Sequence, residues 1–114
     1  MTGRQGEDIA VNFLVSKGYG ILERNYRANR GEIDIVASLG GNIIFVEVKA
    51  RKNRRYSAAR EAVTAEKQKR IIRAATAYMS RKNDTDALVR FDVMEVYEDK
   101  VVHIRRAFDL PPEW

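Results

Sequence analysis

Apolar positions in residues 2 to 17 recur at helical spacing, with Ile9, Ala10, Phe13 and Leu14 on one face. Thr2 and Gln5 form a Thr-x-x-Gln capping box ahead of them, and Gly18 supplies a stop, so this stretch is expected to be a helix. From Gly20 the period changes to that of a strand. Residues 20 to 27 read as a first strand, Gly31 to Val36 as a second and Ile43 to Lys49 as a third, the last two flanking Gly40-Gly41 as a β-hairpin. After Lys49 the apolar pattern lapses into a basic loop from Ala50 to Arg60. Helical spacing returns from Thr64, a good N-cap, to Arg81, with Ile71, Ile72, Ala75, Tyr78 and Met79 as the buried stripe. Leu88 to Tyr97 and Val101 to Phe108 read as a closing pair of strands, with Phe91, Val93 and Val96 in the core. Pro111 and Pro112 keep the tail out of any sheet interior. The expectation is one α/β domain over residues 1–114, its core about 3–107 and its surface tail 108–114.

The hairpin sets the chemistry. With a two-residue turn at Gly40-Gly41, opposed positions sum to 81, which puts Asp34 across from Glu47 and Glu32 across from Lys49. Directly opposed side chains in an antiparallel pair are about 4.5 to 5.5 Å apart at Cβ. Two carboxylates at that range repel by roughly 3 to 4 kcal/mol at an effective dielectric near 20. Lys49 offsets part of this. Hard oxygen ligands converging from two strands are also what Mg²⁺ or Mn²⁺ takes. A three-residue turn would instead make pairs sum to 82 and send Asp34 and Glu47 to opposite faces. Glu7, three residues before Ala10 and seven before Leu14, falls at the edge of the first helix's buried stripe, from which a carboxylate can reach the sheet.

Charge narrows the partner. The chain of 114 residues carries a net charge of +5, and the twelve basic residues from Lys49 to Lys82 face only two acids, Glu61 and Glu66. The rest is net acidic. A basic half that begins at the proposed metal strand is the asymmetry expected for approaching phosphates. There are no cysteines, which excludes disulfides and thiolate zinc sites. No apolar run reaches the roughly 18 to 20 residues of a membrane span and no signal-peptide pattern is visible, so no membrane partner and a cytoplasmic location are expected.

Helix, three strands, helix, strand, with Asp34 on the second strand and Glu47-Val48-Lys49 on the third, resembles the PD-(D/E)xK nucleases of the restriction-endonuclease-like fold. More closely, Gly6-Glu7, Arg24-Asn25-Tyr26-Arg27, Gly31-Glu32-Ile33-Asp34, Phe45-Val46-Glu47-Val48-Lys49-Ala50-Arg51 and the helix from Ala62-Val63 to Tyr78 resemble the YraN family over about residues 3 to 97. That family consists of small bacterial Holliday-junction-resolvase-like proteins. The resemblance implies a mixed central sheet flanked by helices. It also implies that Asp34, Glu47, the carbonyl of Val48 and Glu7 hold a Mg²⁺ or Mn²⁺ ion, and that Lys49 orients or activates water or stabilises the phosphoryl transition state. Arg51, Lys52, Arg54 and Arg55, with Lys67 and Gln68 on the second helix, are the expected nucleic-acid contacts. The sequence departs from the superfamily pattern at two points: Ile33 replaces the proline before the first acid, and Ile72 stands where a tyrosine would follow Gln68 by four.

The expected activity is a metal-dependent endonuclease hydrolysing phosphodiesters of structured or branched DNA, and symmetric junction cleavage implies a homodimer. The alternative is a DNA-binding module on the same fold that does not cut. A third reading is a subunit whose basic face docks an acidic protein. Plainer readings attach to single residues. The Asp34, Glu32, Glu47 and Lys49 set could be the wet face of an antiparallel sheet, and Glu7 could favour the helix dipole. His103, with no acidic neighbour in sequence, reads as structural or surface, and Tyr26, Tyr78 and Trp114 read as packing.

Overall fold

The computed structural model describes residues 2–51, 63–82 and 87–110. In chain order it runs α1 (Gly3–Ser16), β1 (Gly20–Ala28), β2 (Gly31–Leu39), β3 (Asn42–Arg51), α2 (Ala65–Lys82), β4 (Val89–Tyr97) and β5 (Lys100–Phe108). The five strands form one sheet in sequence order. β3 and β4 are parallel, joined by the crossover that contains α2, and the other neighbours are antiparallel. This is the mixed α/β core that the motif order implies, with β5 added at the edge.

Each element follows from its sequence. Thr2 caps α1, its hydroxyl accepting from Gln5 N at 3.1 Å while Thr2 N donates back to the Gln5 side chain at 2.7 Å. Thr64 does the same for α2, accepting from Lys67 N at 3.2 Å. Gly18, Gly40 and Gly41 all take positive φ, as a helix stop and a tight hairpin turn require. β3 runs two residues beyond the expected end, through Ala50 and Arg51. The remainder of the expected basic loop, with Lys52, Arg54 and Arg55, lies outside the described residues, as does Trp114.

The helices lie on opposite faces of the sheet. Ala10 and Leu14 of α1 pack with Ile35, Ala37, Ile44, Val46, Met94 and Val96. Ile71, Ile72, Ala75 and Tyr78 of α2 pack with Ile33, Val36, Phe45, Phe91 and Val93. Tyr26 and Tyr78 meet edge to face at 5.2 Å, a packing role as expected. The alternation along β3, with Ile43 and Phe45 on the α2 face and Ile44 and Val46 on the α1 face, carries Glu47 and Lys49 onto the α2 face.

Candidate active site

The hairpin register is the one that brings the acids together. Leu39 pairs with Asn42 and the series continues to Ile35 with Val46, every pair summing to 81. There the ladder ends. At the next position Val48 N donates to Asp34 Oδ2 at 2.8 Å, so a side chain takes the hydrogen bond and the two strands part around the acids. Pairing does not continue to Glu32 and Lys49. Glu32 lies instead beside Arg27 Nε of β1, at 3.6 Å, because β1 and β2 remain paired at that end.

Asp34 and Glu47 line a pocket of about 80 Å³ together with Glu32 and with Lys67, Arg70 and Ile71 of α2. Glu47 is buried, and Lys67 Nζ sits 3.3 Å from its Oε2. Burial, and then the hydrogen bond and charge of Glu47, push the Asp34 carboxyl up to about 7, although the Val48 N–H and Lys67 act the other way. Lys49 is lowered from the ordinary amine value by burial and by Lys67, with which it shares a hydrogen bond. Lys67 is raised, because Glu47, Lys49 and Asp34 outweigh its own burial. The Asp34 carboxyl is thus shifted up by burial and Glu47, and the Lys49 amine down by burial and Lys67.

The other expected site residues are distributed differently. Glu7 is buried on α1, where its Oε1 accepts from Arg24 Nε at 3.2 Å and Asn25 Nδ2 at 3.0 Å. It lines a separate cleft with Arg4, Asp8, Arg24 and Asn25. Asn25 falls between the pairs Arg24–Ile35 and Tyr26–Ile33, and its side chain is turned to Glu7 in that cleft, which shares no lining residue with the pocket of Asp34 and Glu47. Among the described residues no three Asp, Glu or His side chains gather as a metal-ligand group. Gln68 Nε2 donates to the Val63 carbonyl at 3.1 Å, which spends its amide within its own helix entry. Arg51 Nε lies 3.8 Å from Glu95 of β4.

Two buried acids escape a reading by periodicity. Glu95, 1% exposed, is the register partner of Lys49 on the α2 face. Asp92, also 1% exposed, faces α1, where it receives Arg90 through Nε and Nη2 at 2.8 Å each, Arg106 N at 3.1 Å and His103 Nε2 at 2.7 Å. Arg90 also donates to Tyr19 Oη at 2.9 Å. His103 is thus a structural residue whose acidic partner comes from the neighbouring strand. The signal for both acids is in β4 itself: a strand beside a parallel partner ordinarily reads as an apolar run, and Asp92 and Glu95 interrupt it.

Element order, sheet order and two acids at the open end of the β2–β3 hairpin place the molecule among α/β proteins with a restriction-endonuclease-like core. Within that class the chain belongs to Uncharacterised protein family UPF0102, the YraN family, whose profile matches residues 6–96. It is 48% identical to a UPF0102 protein of Clostridioides difficile over 108 residues, covering 93% of this chain and 95% of the relative. A UPF0102 protein of Chlorobium phaeobacteroides is also 48% identical, covering 93% and 92%. One from Symbiobacterium thermophilum is 49% identical, covering 82% and 80%. None of the described helices is long and apolar enough to cross a membrane.

Proposed function

We propose that the protein is a metal-dependent endonuclease hydrolysing phosphodiesters of structured or branched DNA, with its centre at Asp34, Glu47 and Lys49. The observation that carries this reading is the juxtaposition of Asp34 and Glu47 in a half-enclosed pocket, where burial and mutual repulsion hold one carboxyl near a pKa of 7. A pair that repels when fully ionised is stabilised by a bound cation, and two carboxylates are a hard donor set that suits Mg²⁺ or Mn²⁺. Such an ion supplies Lewis-acid polarisation of the phosphodiester and acidification of water.

The chain's own residues do the rest. The Val48 N–H fixes Asp34 Oδ2, so the first acid is held in place before any ligand arrives. The Val48 carbonyl remains the family's expected further ligand. Lys49, lowered by burial and Lys67, is suited to exchange a proton with the attacking water or with the phosphoryl oxygen. Glu7, held by Arg24 and Asn25 in its own cleft, enters as a residue that ties α1 to β1 rather than as a ligand. A basic α2 flank with Lys67 and Arg70 at the pocket receives the phosphate backbone, which fixes orientation but carries no sequence information. A homodimer would supply the second centre for symmetric junction cleavage.

A non-cutting DNA-binding module is the second reading, favoured by the ion pair of Lys67 with Glu47, which partly neutralises the acids internally. The two separate in a cleavage panel of four-way junction, flap, single-stranded and linear duplex DNA, with Mg²⁺ or Mn²⁺, against Asp34→Ala. The enzyme reading expects cleavage of at least one structured substrate, abolished by Asp34→Ala with DNA binding kept within a few fold. Binding without cleavage of any substrate by the wild type supports the binding module.

A further inference from the structure

The β1–β2 turn is bound closely to α2 and carries an arginine in a conformation that arginine does not favour. Ala28 pairs with Gly31, leaving Asn29 and Arg30 as a two-residue turn. Both have positive φ, 51° and 60°, as such a turn needs. Asparagine tolerates this region, whereas arginine there is strained, and strain of this kind is concentrated at functional sites. The next residue, Gly31, is buried against the helix: a Cβ there would collide with the Arg70 carbonyl oxygen and lie 3.0 Å from Ala74 N. Only glycine lets the turn sit on α2 in this way.

The consequence is a fixed set of charges at one edge of the pocket. Arg70, whose carbonyl faces Gly31, lines the pocket with Asp34 and Glu47. Arg30, one residue before Gly31, is exposed. Among the described residues neither arginine has a carboxylate within ion-pair distance, in contrast to Arg24, Arg27, Arg51 and Arg81. Arg27 is occupied by Glu32, which neutralises the one acid on this edge. Sheet order puts the turn on the β1 side of the site and Arg51 on the β4 side.

We propose that Arg30 and Arg70 form a phosphate-binding ridge that grips the DNA backbone as it leaves the pocket over the β1–β2 turn. The inference rests on the nuclease reading for its ligand and gives the centre a second flank, opposite Arg51. It also accounts for the residues between Arg27 and Gly31. The turn is built to present Arg30, and Gly31 ties that position to the helix bearing Arg70.

The test is fluorescence anisotropy of a four-way junction and of linear duplex in chelator, across a series of KCl concentrations, with Arg30→Gly, Arg70→Ala and the exposed β5 control Arg105→Ala. Each lost phosphate contact lowers the magnitude of the slope of log affinity against log salt by about 0.9 on duplex. Arg30→Gly and Arg70→Ala should each show that change, with a roughly five- to tenfold loss of affinity; Arg105→Ala should match wild type. Arg30→Gly also relieves the turn, so its melting temperature should rise while DNA affinity falls, a combination that a merely structural arginine would not produce. If wild type binds with a steep salt slope and both variants keep it, the ridge is overturned and the nuclease reading stands. If wild type binds neither DNA, or binds with no salt dependence, both fail together.

Discussion

Two desolvated aspartates on opposite faces of the same sheet, Asp92 buried and Asp34 half-buried, are shifted in opposite directions. Asp92, toward α1, has its ordinary value opposed by burial, but hydrogen bonds from His103, Arg90 and the Arg106 N–H outweigh that and hold it low. Asp34, toward α2, is also desolvated, and there the hydrogen bond and charge of Glu47 outweigh the Val48 N–H and Lys67, so it is pushed up to about 7. Desolvation acts on both, so desolvation is not what distinguishes them. The partner does: an acid with every oxygen satisfied is part of the scaffold, and an acid set against an acid is poised for a cation.

Removing the satisfied acid should produce the largest change in stability. Asp92→Ala leaves the half-buried Arg90 with Tyr19 Oη alone of its hydrogen-bond acceptors here and deprives Arg106 N and His103 of theirs. Breaking a buried pair on one side costs about 3 to 5 kcal/mol. Urea denaturation should show that loss, while Mn²⁺ affinity measured on whatever folded fraction remains should be unchanged. A loss below about 1 kcal/mol would mean that water replaces the carboxylate and that the contrast between the two acids is smaller than the geometry says.

The opposite acid should give the opposite sign. Asp34 has a folded value of about 7 against an unfolded one near 3.8, so the folded state binds the extra proton. Its contribution therefore weakens stability as pH rises from about 4 to 7, and the penalty is complete above 7. Asp34→Asn keeps an oxygen for Val48 N–H and offers an amide to Glu47. At pH 8 without metal it should be more stable than wild type by about 2 to 4 kcal/mol, with the gain gone at pH 4. Mn²⁺ binding to wild type should displace the Asp34 proton, so its stabilising effect should grow from pH 6 to pH 8 and vanish in Asp34→Asn. Asp92 behaves in the reverse sense, its stabilisation present above the ordinary aspartate value and lost in acid. A thermal melt series from pH 4 to pH 8 in chelator distinguishes the two.

The hairpin was legible in the sequence because Gly40-Gly41 admits a two-residue turn, and that turn determines every pair down to Ile35 and Val46. The helices were legible because Thr2 and Thr64 announce them and apolar spacing continues them. What happens beyond Val46 was not legible. Periodicity extends a ladder indefinitely, whereas Asp34 ends this one by taking the Val48 N–H, and Glu32 turns to Arg27 instead of Lys49. The same limit hid the partner of Lys67: the sequence offers it on the second helix as a nucleic-acid contact, but only the tertiary crossover brings its ammonium onto Glu47. The Asp92 network joins β4, β5 and the loop at Tyr19, three segments with no local signal of their meeting.

Lys67 provides a finer test of the contrast, because among the described residues it is the one cation at ion-pair distance from Asp34 or Glu47. Arg90 is fixed in the opposite network by two hydrogen bonds to Asp92 at 2.8 Å, whereas the more exposed Lys67 meets Glu47 in one longer ion pair at 3.3 Å. At the proposed metal site an ammonium so placed would compete with a divalent ion for Glu47. Lys67→Met should raise Mn²⁺ affinity about tenfold by calorimetry, equivalent to about 1.4 kcal/mol. In chelator the same variant should be slightly less stable than wild type at pH 8. A fall in Mn²⁺ affinity would show that Lys67 organises the acids instead of competing for them.

The smallest effect is expected at the third acid. Glu7 is held by Arg24 and Asn25, and Arg24 also bridges to Asp8 at 2.6 Å on the surface. Glu7→Gln retains an oxygen for both donors and removes only a charge, so the loss should be that of a partly exposed ion pair, about 1 kcal/mol or less. Glu7 lines a cleft apart from the pocket of Asp34 and Glu47, so Mn²⁺ affinity should change by less than about twofold. A first-helix acid that ligates the ion would instead lower Mn²⁺ affinity by tenfold or more. Calorimetry on Glu7→Gln beside Asp34→Asn decides whether the centre draws acids from one face of the sheet or from both. If Glu7→Gln weakens the ion as Asp34→Asn does, then α1 contributes to chemistry as well as to scaffold, and the division between the two faces holds for Asp92 but not for its helix.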